Sequence, residues 1–243
     1  MQMLTKISVA SLVRSEFYLI LDCDVFATRR TVFSDLVIGG RAVYAAKPFE
    51  YQRHRRTWWD AADSILQARG CVTNRTNARG GVIGVTPAIL ATKISREVMA
   101  RVGALHAGPA WDESLFRLRL EQGFDWRAAD QSNPALLQAV ARTLIQTLLA
   151  PTPSRSEYTL YWTAACTSGL AERAHTPPHG VELYEENGFE YGAWTVWDAA
   201  KAFSDNSFVF TVIQSIGGAP PDWVADKLEL YLVLDNTTDS QSL

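Results

Sequence analysis

Phe17-Tyr18-Leu19-Ile20-Leu21-Asp22-Cys23-Asp24-Val25-Phe26 is an apolar run that stops at two carboxylates one residue apart. Five successive apolar residues, Phe17 to Leu21, suit a central strand covered on both faces, where alternation is not expected. A carboxylate at the end of such a strand needs a partner. A divalent cation shared by Asp22 and Asp24 provides one, and hard oxygen ligands suit Mn²⁺ or Mg²⁺. In open α/β sheets, ligands gather beyond the carboxyl ends of strands, where this pair would lie. The competing reading is a strand followed by an Asx turn.

Working outward, the chain punctuates itself into alternating strands and helices. Residues 2–13 permit a short helix that feeds the strand. Val37-Ile38-Gly39-Gly40 marks a turn before a short strand at Ala42 to Ala45. Apolar residues at helical spacing run through 51–68, with Gly70 as a stop, and Val82 to Val85 is a brief strand before the turn at Thr86-Pro87. Helices are expected over 94–105, 111–121 and 133–149, and Pro151 to Arg155 reads as a linker. A further helix opens at Ser156 and ends near Ser168-Gly169, and a looped region holds His175, Pro177, Pro178 and His179. A helix follows over Trp194 to Phe203, then a strongly apolar strand over Phe208 to Ile213 and a last helix or strand over Trp223 to Leu234. The class is α/β, with one domain over 1–235 and a polar tail over 236–243.

Composition narrows the function. With 243 residues, 47% of them hydrophobic, the chain can bury one large core. Its 23 basic against 26 acidic residues give a net charge of −3, so no global field favours nucleic acid or an anionic membrane. No apolar stretch approaches the roughly 18 residues of a membrane span, and no leader is visible, which points to a cytoplasmic protein. Three scattered cysteines, Cys23, Cys71 and Cys166, match neither a zinc pattern nor a disulfide framework. The eight tryptophans often neighbour charges, as in a cleft that stacks flat or sugar-like groups or at amphipathic core edges.

Several stretches resemble a poorly characterised glycosyltransferase-like family of the GT-A type. They are Gln2-Met3-Leu4-Thr5-Lys6, the run Phe17 to Asp24, Arg55-Arg56-Thr57-Trp58-Trp59, Gly84-Val85-Thr86-Pro87-Ala88-Ile89-Leu90, Ser156-Glu157-Tyr158-Thr159-Leu160-Tyr161 and Val212-Ile213-Gln214-Ser215. The resemblance implies a Rossmann-like mixed sheet flanked by helices. It further implies transfer of a sugar from a nucleotide-sugar donor to a glycan or other hydroxyl acceptor. Similar proteins carry about one βαβ unit before the acidic strand to cradle the base. This chain begins almost at that strand, so the resemblance implies truncation or a base-binding half supplied differently.

By the same resemblance, Asp24 coordinates the metal, while Asp22 shares it or reaches the ribose. A distal histidine often completes such sites; His175 is the first candidate and His179 the second, each with a surface histidine as the alternative. Glu157 is the candidate catalytic base, and equally a first-turn capping residue after Ser156. Arg55 and Trp58, in the patch Arg53-His54-Arg55-Arg56-Thr57-Trp58-Trp59, could clamp phosphates or stack a sugar, or form the outer face of a helix whose tryptophans pack inward. Two other readings stand beside the transferase. One is a truncated module that binds without turnover. The other is a haloacid-dehalogenase-like phosphatase with Asp22 as nucleophile, which lacks a later paired acidic strand end.

Overall fold

The structure, a computed structural model, describes residues 6–47, 56–68, 81–82, 86–107, 157–185, 193–213 and 218–232. The expected helices over 111–121 and 133–149, the linker at 151–155 and the polar tail lie outside the described residues. So do Gly70, Arg55, Gln214 and Ser215.

Residues 6–11 form a helical turn that leads to β1 (Phe17–Ile20), and a two-carboxylate turn joins β1 to β2 (Val25–Ala27). A short helix α1 (Phe33–Leu36) runs into the hairpin of β3 (Val37–Ile38) and β4 (Arg41–Val43). Its two-residue loop, Gly39-Gly40, has φ of +57° and +73°, which glycine adopts without a Cβ penalty and which matches the twist of a tight hairpin. After β5 (Ala46–Lys47) come α2 (Arg56–Ile65), β6 (Gly81–Val82), β7 (Ala88–Ala91) and α3 (Thr92–Val102). The second half holds α4 (Glu157–Thr167), α5 (Ala171–Ala174), β8 (His175–Thr176), β9 (Glu182–Glu185), α6 (Ala199–Ser204), β10 (Phe208–Val212) and α7 (Pro221–Leu232).

The strands make small sheets, antiparallel and mixed. β1 pairs antiparallel with β7; β10 lies between antiparallel β2 and parallel β9; β4 lies between antiparallel β3 and parallel β8; β5 pairs with β6. The α/β class therefore holds. The place of β1 differs from expectation. Phe17 is buried, but Tyr18 to Ile20 are only partly covered and Leu21 is 48% exposed. The strand stops at Ile20, and the two aspartates of the turn that follows are partly exposed. The strand covered on both faces is β10, all five residues of which are buried. Phe208 and the following Ile213 face one apolar cluster, with Trp197 and Leu228, while Val209, Phe210 and Val212 belong to the larger one.

The larger cluster forms around α4. Tyr158 to Ala165 are all buried, so this helix is apolar all round, as a helix enclosed by its neighbours must be. It packs against α2 and α3. Its end is the one read from the sequence: Gly169, at φ +67°, lets the Leu170 N–H reach back to the Ala165 carbonyl at 2.9 Å. The helix expected over 194–203 is broken at Trp197-Asp198, where the Asp198 carboxylate caps α6 by accepting the Lys201 N–H at 3.2 Å. Among the described residues no helix is long and apolar enough to cross a membrane.

Candidate functional site

The turn Asp22-Cys23-Asp24 joins two different sheets. Asp22 follows β1, and the Asp22 carbonyl accepts the Val25 N–H at 3.2 Å to close the turn. Asp24 precedes β2, and its carbonyl accepts the Ile213 N–H, just past β10, at 2.9 Å. Both carboxylates thus lie on backbone held at each end by strand pairing.

The Asp22 side chain is held at both oxygens. Lys6 Nζ lies 2.7 Å from Oδ1, and the Thr86 hydroxyl donates to Oδ2. Both oxygens of Asp22 are therefore engaged while its side chain remains 30% exposed. Lys6 is fastened in turn. The Tyr18 hydroxyl donates to its carbonyl at 3.1 Å and shares a 2.8 Å hydrogen bond with Ser95. Burial pushes the Tyr18 hydroxyl up to about 12, the Ser95 contact acting the other way, so it stays protonated and able to donate. Arg96, on α3, donates to the Ala10 carbonyl at 2.9 Å and to the Val13 carbonyl at 2.8 Å, clamping the rest of this segment.

The first turn of α4 also reaches the site. The Tyr158 hydroxyl is 3.4 Å from Lys6 Nζ, which lies 5.4 Å from the centre of the Tyr158 ring. One residue on, the Thr159 hydroxyl donates to the Trp58 carbonyl at 3.2 Å, which seats α2 on the same turn. Trp58 is half-buried, Trp59 is buried in the core, and Glu157 is the first residue of α4, its side chain outside the described set.

The structure does not gather His175 with the two aspartates. Among the described residues there is no group of three or more His, Cys, Asp or Glu side chains that could hold a metal ion, although Asp22, Asp24 and His175 are all described. Nor is His175 on the surface. It is 3% exposed, on a strand paired with β4, its ring 4.5 Å from the Trp162 ring and 5.6 Å from the Tyr161 ring. Desolvation lowers its pKa to about 4, only partly offset by the nearby Ala42 backbone, so the ring is neutral. His179 bonds the Thr176 hydroxyl at 3.2 Å.

Among the described residues the turn brings two aspartates close in sequence, and carboxylate pairs suit one kind of cation. Mg²⁺ and similar ions are commonly held by one or two carboxylates, the remaining positions going to water and substrate phosphates.

Sequence reasoning singled out no role for Lys6, Thr86, Tyr158 or Ile213. Yet each lies within one of the stretches picked out by order and spacing, and those stretches meet here: Lys6 with Asp22 and Tyr158, Thr86 with Asp22, Thr159 with Trp58, Ile213 with Asp24. The signal was present as a set of separated motifs with no shared local pattern.

No curated protein and no solved structure matches the chain. A family model does match, over residues 1–236, and its description is a family of unknown function; the chain accordingly belongs to that family, DUF6492.

Proposed function

We propose that this protein is a metal-dependent glycosyltransferase of the GT-A type, moving a sugar from a nucleotide-sugar donor to a hydroxyl acceptor. The observation that supports the reading is that three separated stretches contact the Asp22-Cys23-Asp24 turn through Lys6, Thr86 and Ile213, with Tyr158 reaching it by way of Lys6, where the turn follows the carboxyl end of a strand and joins two sheets.

In this reading Asp22 and Asp24 hold Mn²⁺ or Mg²⁺, which supplies charge neutralisation for the departing diphosphate. The Thr86 hydroxyl, donating to Oδ2, holds the Asp22 carboxylate in one orientation. Glu157, the first residue of α4, is the candidate base for the acceptor hydroxyl in this reading. Trp58, half-buried on α2, contributes a stacking face. His175 has no part in the metal site. Its role is in the core.

A second reading is favoured by one contact. The Lys6 ammonium already neutralises Asp22, which suits a module that binds an anionic sugar or partner without turnover. Thermal shift with Mn²⁺ and a panel of nucleoside diphosphates separates the two, because a ligand of the folded state raises its melting temperature. The transferase requires stabilisation that needs both components and is lost in Asp24→Ala, together with Mn²⁺-dependent release of sugar from a nucleotide-sugar. Binding without sugar release supports the module. Metal-dependent release of phosphate from a monoester, with no preference for sugar nucleotides, would instead favour the phosphatase.

A further inference from the structure

The position of Lys6 is unusual for a structural cation. It neutralises one of the two carboxylates that the proposed function assigns to the metal, and it does so on Oδ1 while Thr86 takes Oδ2. A divalent ion bound to Asp22 would face an ammonium on the same carboxylate, and two cations at that spacing repel. Lys6 also has somewhere to go. Its side chain is 13% exposed, its charge rides on a flexible four-carbon stem, and Tyr158 offers a ring face and a hydroxyl beside it.

We propose that Lys6 is both a built-in competitor for the cation and a binding residue for the diphosphate. Without ligand, its ammonium holds Asp22. When a cation arrives with a diphosphate, the ammonium leaves the carboxylate for a phosphate oxygen, guided by Tyr158. The consequence is ordered selectivity: free metal alone binds weakly, and metal with a diphosphate binds well. The site thereby discriminates against bare ions and against ligands without a diphosphate. This inference rests on the reading of Asp22 and Asp24 as a metal-diphosphate site.

The test compares the wild-type chain with Lys6→Met and Lys6→Arg in two titrations. The first follows free Mn²⁺ by electron paramagnetic resonance. The second follows binding of uridine and guanosine diphosphates at saturating Mn²⁺ by calorimetry. Lys6→Met should bind Mn²⁺ alone about fivefold more tightly and the better diphosphate about fivefold more weakly, the size expected for one partly exposed charge pair. Lys6→Arg, which keeps the charge and grips a carboxylate with two N–H groups, should bind Mn²⁺ alone no better than wild type and retain the diphosphate. It also decides the matter if Lys6→Met does not fold, since a gain in binding of Mn²⁺ alone or a loss of diphosphate in Lys6→Arg overturns the exchange. Changes of the same sign in both titrations of Lys6→Met mean a supporting role only, and unchanged affinities mean no role; either overturns the proposal. If folded wild-type protein binds neither ligand in an Asp24-dependent way, the metal-diphosphate reading itself fails. Diphosphate binding that needs Asp24 but ignores Lys6 leaves that reading standing and removes only the exchange.

Discussion

Tyr161 Oη lies 2.6 Å from His175 Nε2 and accepts the Ala91 N–H at 2.8 Å, so one hydroxyl joins β7, α4 and β8 in the interior. Burial raises the Tyr161 pKa well above its ordinary value of 10, and burial lowers that of His175. The hydroxyl therefore keeps its proton and shares a hydrogen bond with the neutral imidazole.

The pair makes stability depend on pH in a defined window. Below pH 6.5 the imidazole of the unfolded chain gains a proton that the folded chain refuses until about pH 4. Stability is therefore full above pH 6.5 and falls as the pH drops towards 4, by roughly 3 kcal/mol for this group. Urea unfolding at pH 7.0 and pH 4.5 measures the loss. His175→Gln should show a smaller loss over the same interval, and an equal loss would mean that carboxylates elsewhere account for it.

Tyr161→Phe takes the hydroxyl partner from the Ala91 N–H and from His175 Nε2 in a buried setting. The cost should be about 2 kcal/mol. Chemical denaturation reads it, and hydrogen exchange should speed up at Ala91 before it does elsewhere in β7.

Asp24→Ala removes a carboxylate but leaves the carbonyl that accepts the Ile213 N–H. The variant keeps that backbone contact and should fold. It should lose the Mn²⁺-dependent stabilisation by nucleoside diphosphates, about 3 kcal/mol for ligand at a hundredfold excess over Kd.

Replacement of Gly40 by valine puts a branched side chain at φ +73° in the β3–β4 turn. It should cost at least about 1–2 kcal/mol, since the left-handed region is unfavourable for residues with a Cβ. Gly39→Asn, a residue that tolerates this region, should cost less, and equal costs in thermal melts would argue against a two-residue turn with both φ positive.

Local chemistry made much of the fold legible. The apolar runs at Phe17 and Phe208, the paired glycines at 39 and 40, the stop at Gly169 and the helix over Thr92–Val102 all follow from residues a few positions apart. Pairing partners do not. An apolar run identifies a strand without naming its neighbours, so β1 was assigned the enclosed position that β10 holds. His175 reads as a surface residue because prolines and a glycine follow it. Its burial depends on Tyr161 and Trp162, which α4 delivers from another part of the chain. Lys6 was invisible for the same reason: its contact with Asp22 spans elements that no periodicity connects.

The assignment of β10 to the middle of its sheet also has a bearing on synthesis. Strand 208–212 pairs with 25–27, and the amide of Ile213 closes the carbonyl of Asp24. A chain growing on the ribosome therefore exposes the acidic turn, with one flank unpaired, until nearly nine-tenths of the 243 residues have been made. Contacts of such long sequence separation form late. Chains stopped before residue 208 should carry both aspartates and yet lack the pairing that holds the Asp24 backbone.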